Sequence, residues 1–100
     1  MGRYRLTPAA QKDLEEIWTY TNDRQGIERT LDYIDSIEAA CVRLSEMPRM
    51  CRERHEYAPP VRIHPHREHL IVYVLDEENI DAVRILHARM DLDASLAPGR

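Results

Sequence analysis

Leu70-Ile71-Val72-Tyr73-Val74-Leu75 is an uninterrupted apolar run, too short for a typical helix and rich in β-branched and aromatic side chains. A strand that is apolar on both sides needs cover on both sides, so residues 70–75 are expected at the centre of a sheet. Its flanks supply partners. Asp76-Glu77-Glu78-Asn79 is a turn, and residues 80–87 read as a further strand, apolar except for Asp81, Arg84 and His87. On the other side Val61 and Ile63 alternate with Arg62 and His64 as a strand, and Pro65-His66-Arg67-Glu68 turns into the central run. Residues 49–60, bracketed by Pro48 and Pro59-Pro60, read as a charged connector wrapping one edge, with no long element.

The first half of the chain changes period. Tyr4 and Leu6, alternating with Arg3 and Arg5, form a short strand that Pro8 stops. Thr7-Pro8 then reads as N-cap and first helical residue. Ala10, Leu14, Ile17, Trp18 and Thr21 recur on one helix face, with Gln11, Lys12, Asp13, Glu15 and Glu16 on the other. Trp18 is expected to pack in the core. Asn22-Asp23-Arg24-Gln25-Gly26 breaks the helix at a left-handed glycine. Ile27, Leu31, Ile34, Ile37, Cys41 and Leu44 mark a second helix ended by Pro48, and so short a connection makes the pair an antiparallel hairpin. The order βααβββ predicts an α+β fold in which a helical hairpin packs on one face of a mainly antiparallel sheet. The opposite face is left for something else, and residues 90–100 are a short excursion and a frayed tail.

A length of 100 residues supports one core, so residues 1–100 are read as a single domain. The net charge of -4 gives no overall pull toward phosphate polymers, and free nucleic-acid binding is disfavoured. Cys41 and Cys51 fit no zinc spacing; a reducing compartment without a disulfide is expected. No apolar stretch is long enough for a membrane helix and no secretory signal opens the chain, which points to the cytoplasm.

Candidate chemistry is sparse. His55, His64, His66 and His69 cluster along the chain without a third ligand at a diagnostic spacing, so no metal site is expected and they read as solvated turn residues. The scattered glycines form no phosphate loop, no serine lies in a nucleophile elbow, and no cofactor is implied. Between residues 49 and 69, Arg49, Arg52, Arg54, Arg62 and Arg67 outnumber Glu53, Glu56 and Glu68, a patch suited to an acidic partner. Arg84, His87 and Arg89 converge near the end of the last strand. The arginines can clamp an anion, and His87 alone of the three can exchange a proton near neutral pH. Asp91 and Asp93 follow His87, but no tyrosine does.

Taken in order, Tyr4-Arg5-Leu6-Thr7-Pro8-Ala9-Ala10, Asp13-Leu14-Glu15-Glu16-Ile17-Trp18, Pro48-Arg49, His69-Leu70-Ile71-Val72-Tyr73, Val83-Arg84-Ile85-Leu86-His87 and Arg89-Met90-Asp91 resemble the ParE branch of the RelE/ParE toxins over nearly the whole chain. The sequence departs from the usual pattern at Ala88, at Met50-Cys51 and at His64-Pro65-His66. The resemblance implies the helical hairpin on an antiparallel sheet and a toxin of a type II toxin–antitoxin pair, of the kind that serves plasmid stabilisation. It implies DNA gyrase as the target, inhibited by binding, and a ParD-like antitoxin as the silencing partner. The antitoxin helix is expected across the hairpin, with Arg62, Arg67 and Arg84 at the rim. Two alternatives stand beside this. One is a RelE-like ribosome-dependent mRNA endonuclease using His87 with Arg84 and Arg89; the other is a degenerate toxin that only binds its antitoxin.

Overall fold

In the computed structural model, which describes residues 3–96, the chain runs β1 (Tyr4–Leu6), α1 (Pro8–Gln25), α2 (Ile27–Glu46), β2 (Glu53–Arg54), β3 (Val61–His66), β4 (His69–Asp76), β5 (Asn79–His87) and α3 (Leu92–Ser95). The strands form one sheet in the order β1-β5-β4-β3-β2, so the apolar run of β4 takes the centre as expected. β1 is parallel to β5, and every other pair is antiparallel. This is the expected α+β arrangement, extended by the two-residue β2 that the charged connector adds beside β3.

Thr7 joins the first strand to the first helix. Its hydroxyl oxygen accepts from the Ala10 amide at 3.2 Å as the N-cap, while the hydroxyl donates to the Val83 carbonyl at 3.0 Å and the Thr7 amide donates to the Ala82 carbonyl at 3.0 Å. The helix then continues through the expected turn to Gln25, because one residue is enough to reverse the chain. Gly26, at φ +85° and ψ 172°, donates to the Asn22 carbonyl and accepts from both the amide and the hydroxyl of Thr30. That region of backbone space is essentially reserved for glycine.

The two helices and one sheet face enclose a core of Ala10, Ile17, Ile37, Ala40, Cys41, Leu44, Ile71, Tyr73, Ile80, Ala82 and Ile85. The second helix buries Ile37, Cys41 and Leu44 of its expected stripe, packs Ile34 against them, and departs from the stripe in its first turns. Ile27 and Leu31 are 48% and 49% exposed, whereas Thr30 is fully buried, its hydroxyl satisfied by the Gly26 carbonyl. Trp18 also departs from expectation: it is half-buried and lines a shallow groove with Leu6, Leu14 and Ile34, outside both buried clusters.

The opposite sheet face is covered by the chain itself. Tyr57 from the connector and Leu96 after α3 pack with Val61, Val72 and Leu86, and the Tyr57 hydroxyl donates to the Asp93 carboxylate at 3.2 Å. The tail expected to fray is therefore structured as far as Leu96; residues 97–100 lie outside the described part. An open sheet face would leave these side chains in water, and burying them drives the C-terminal segment back onto the strands.

Asp13 is the largest departure from the amphipathic reading. Expected on the solvated face of α1, it is 9% exposed, and its carboxylate accepts from Arg84 Nε at 2.7 Å, Arg84 Nη2 at 3.0 Å and the Ile85 amide at 2.9 Å. The reason lies in β5. Its register on β4 shifts after Val72–Arg84 to Tyr73–Ala82, which skips Val83. This bulge carries Ile85 onto the face already held by Ile80 and Ala82. It also turns the Ile85 amide to the edge beyond the end of β1, where Asp13 supplies the missing acceptor.

Asp13→Ala should lower stability by about 2–3 kcal/mol in urea unfolding, because it strands the Ile85 amide and a half-buried guanidinium together. Gly26→Ala should cost about 1–3 kcal/mol in the same measurement. Among the described residues no atom lies within 4 Å of the added methyl group, so that loss would report backbone strain.

Candidate functional site

Among the described residues no strand covers the outer edge of β5 beyond Leu6, and the C-terminal half of α1 passes over it. The space between them is a groove of about 720 Å³. Arg67, Arg84, His87 and Arg89, which the sequence singles out, all line it. Tyr33 and His69 line it as well, and Glu16, Arg24 and Glu68 bring further charge. Arg62 lies elsewhere on β3, where its guanidinium donates to the Cys51 carbonyl.

The groove's cations differ in what they are free to do. Arg84 is held by Asp13 and reaches toward the Ser95 carbonyl at 3.4 Å, so its charge is answered from within the fold. The hydrogen bond to Asp13 favours its charged form against the opposing effect of burial. Arg67 sits on the β3–β4 turn at φ +54°, its guanidinium 5.8 Å from the Tyr33 ring centre. Arg24 lies 4.5 Å from the ring centre of Tyr20 on the same helix. Arg89 is exposed, and its amide donates to His87 Nδ1 at 3.1 Å.

Of the four histidines between residues 55 and 69, His55 is an exposed turn residue as expected, but the other three are not. Only Arg67 and Glu68 separate β3 from β4, so His64, His66 and His69 belong to strands, and His69 is 9% exposed. His66 Nε2 lies 2.9 Å from Ser36 Oγ, and His69 Nδ1 lies 2.6 Å from the Tyr33 hydroxyl. His64 Nδ1 is 3.7 Å from Cys51 Sγ, and His55 stays exposed beside Glu53. Burial first, and then the charge of His87, pushes the His69 imidazole below the ordinary histidine range, with Glu68 opposing. His66 is lowered by burial and then by Arg67, and His64 by burial and then by Arg43.

Among the described residues no three His, Cys, Asp or Glu side chains are placed to hold a metal ion, and the two cysteines are free. Burial and the nearby Glu38 carboxylate push the Cys41 thiol up to about 11. Among the same residues, no helix is long and apolar enough to cross a membrane.

The sequence missed Tyr33 and His69 as companions of His87. A search for acid–base partners downstream of His87 finds only Asp91 and Asp93, whereas the partners come from α2 and the start of β4. One signal was present: Tyr33 stands one position before Ile34 of the second helical stripe and His69 opens the central run, so Tyr33 can meet the hairpin side of the sheet, where the strand register sets His69.

The sequence and fold have counterparts among known proteins. The profile of the ParE toxin of the type II toxin–antitoxin system, parDE, matches residues 4–92. Toxin ParE1 of Mycobacterium tuberculosis is 42% identical over 96 residues, which span 95% of this chain and 98% of that protein. Toxin ParE1 of Caulobacter vibrioides is 30% identical over 96 residues, spanning 96% and 99%. A solved structure of the chromosomal ParDE TA system from P. aeruginosa superposes with a TM-score of 0.74 at 20% identity, over 87% of this chain and 96% of that one, which is a likeness of fold. With sequence and architecture in agreement over nearly its full length, the chain belongs to the ParE family of toxins of type II toxin–antitoxin systems.

Proposed function

We propose that residues 1–100 act as one toxin domain in the cytoplasm, that the toxin arrests growth by docking on DNA gyrase, and that a ParD-like antitoxin silences it. Family membership supports the pairing with an antitoxin. The observation that carries docking over cleavage is the state of Arg84. A cation placed to clamp a phosphodiester is already neutralised by Asp13, in a protein whose net charge is -4.

The antitoxin helix is proposed to lie on the hairpin, where Leu6, Leu14, Trp18 and Ile34 form an apolar floor edged by Gln11, Glu15 and Thr19. Arg62, Arg67 and Arg84 are proposed contacts for its acidic residues. Arg67 has the freest guanidinium of the three, because Arg62 is bonded to a carbonyl and Arg84 to Asp13. Arg67→Glu should weaken antitoxin binding about tenfold, about 1.4 kcal/mol, in calorimetric titration, with smaller losses from charge reversal at Arg62.

One observation favours a second reading, a ribosome-dependent mRNA endonuclease: Tyr33 and His69 join His87 in the groove and enlarge its acid–base complement. His87→Ala separates the two, since it should abolish growth arrest by a nuclease and leave a docking toxin active.

The direct test is gyrase supercoiling and DNA cleavage with the purified chain, with and without antitoxin. Supercoiling should fall, cleaved DNA should accumulate, and antitoxin should reverse both effects. Unaffected gyrase alongside cut ribosome-bound message would overturn the proposal. No growth arrest on induction without antitoxin would instead identify a chain that only binds its partner.

A further inference from the structure

His66, His69 and His87 stand in a row across three adjacent strands. His66 pairs with His69 between β3 and β4, and His69 with His87 between β4 and β5. The His69 and His87 rings meet edge to face with centres 5.4 Å apart. One helix, α2, reaches over the row with Ser36 on His66 and Tyr33 on His69.

Hydrogen-bond direction follows from which group has a proton to give. The Ser36 hydroxyl donates to the Tyr33 carbonyl at 2.6 Å, so its oxygen receives the Nε2–H of His66. Tyr33 keeps its phenolic proton, being raised further by burial and then by Glu68, and donates it to His69 Nδ1. His69 is thereby fixed in the neutral form protonated on Nε2. A second proton, on Nδ1, would oppose a donor to a donor and leave the phenol to find another acceptor.

Other charged groups around the row offer little relief. Glu68 on the turn favours a charged His69. Arg67 on the same turn, Arg43 from α2 and His64 on β3 all act against charge on His66, and His66 and His87 act against charge on His69.

We propose that the Tyr33–His69 hydrogen bond is an acid-released latch: protonation of His69 detaches the middle of α2 from the β3–β4 turn and loosens the wall of the groove that Tyr33, His69 and Arg67 share. The linkage has one sign. His66 and His69 bind protons more weakly in the fold than at their ordinary value of about 6.5 in the unfolded chain. Their contribution is complete above that pH and is lost as pH falls below it toward the folded values.

Amide hydrogen exchange on the full chain at pH 7.5 and 5.5, corrected for intrinsic rates, tests the latch. Protection over residues 64–69 should fall at least tenfold at the lower pH, while residues 80–82, paired with β1, hold theirs. His69→Asn retains an acceptor near the Nδ1 position but cannot take a charge, and should show a smaller acid step than the native chain, the remainder being what His66 carries. Tyr33→Phe removes the donor, so protection should already be low at pH 7.5 and the acid step should be smaller than the native chain's. Equal protection of the native chain at both pH values would overturn the proposal, as would an undiminished acid step in either variant that folds.

Discussion

Three donors meet one buried carboxylate where α1 crosses the end of the sheet, and the arrangement of the molecule turns on that contact. Asp13 accepts two bonds from Arg84 and one from the Ile85 amide. A lone carboxylate at that depth would be strongly disfavoured, and so would an unpaired amide on a buried strand edge. Each removes the other's penalty. The contact does for β5 what a longer β1 would have done, but it does so from a helix. The C-terminal half of α1 is thereby held over an uncovered strand end, and a groove results.

The bulge at Val83 makes the contact geometrically available. Simple alternation from Ile80 and Ala82 would send Ile85 to the far face and leave Arg84 among the core side chains. With Val83 skipped, Ile80, Ala82 and Ile85 share the hairpin side, and Val83 and Leu86 join the smaller cluster on the other. One irregularity thus serves both cores. It also directs the only ion pair between α1 and β5 found among the described residues.

The proposed activity depends on surfaces of two kinds. Trp18 and its neighbours offer an apolar trough along the hairpin, while the groove beside β5 mixes tyrosine, histidine and arginine with two glutamates. An amphipathic segment fits the first, and a polar, more demanding partner fits the second. Because the imidazoles of the second surface hold internal hydrogen bonds, its shape is tied to their protonation in a way the apolar trough is not.

Local pattern determined much of this protein. The apolar stretch of β4, the Thr7-Pro8 start, the two amphipathic helices and the glycine between them are short-range statements, and period and cap chemistry are legible without knowledge of distant residues. The resemblance to ParE toxins drew on the same ordered segments. What depended on contacts between distant residues was decided by the tertiary structure. Asp13 reads as a solvated helix residue until β5 is laid beside it, 72 positions away in sequence from the Ile85 amide it receives. His66, His69 and His87 read as scattered until strand register sets them in line, and Tyr33 has no visible tie to them before α2 is docked. Spacing along a chain reports which side of its own element a residue occupies; which atoms wait on that side is settled only when another element arrives.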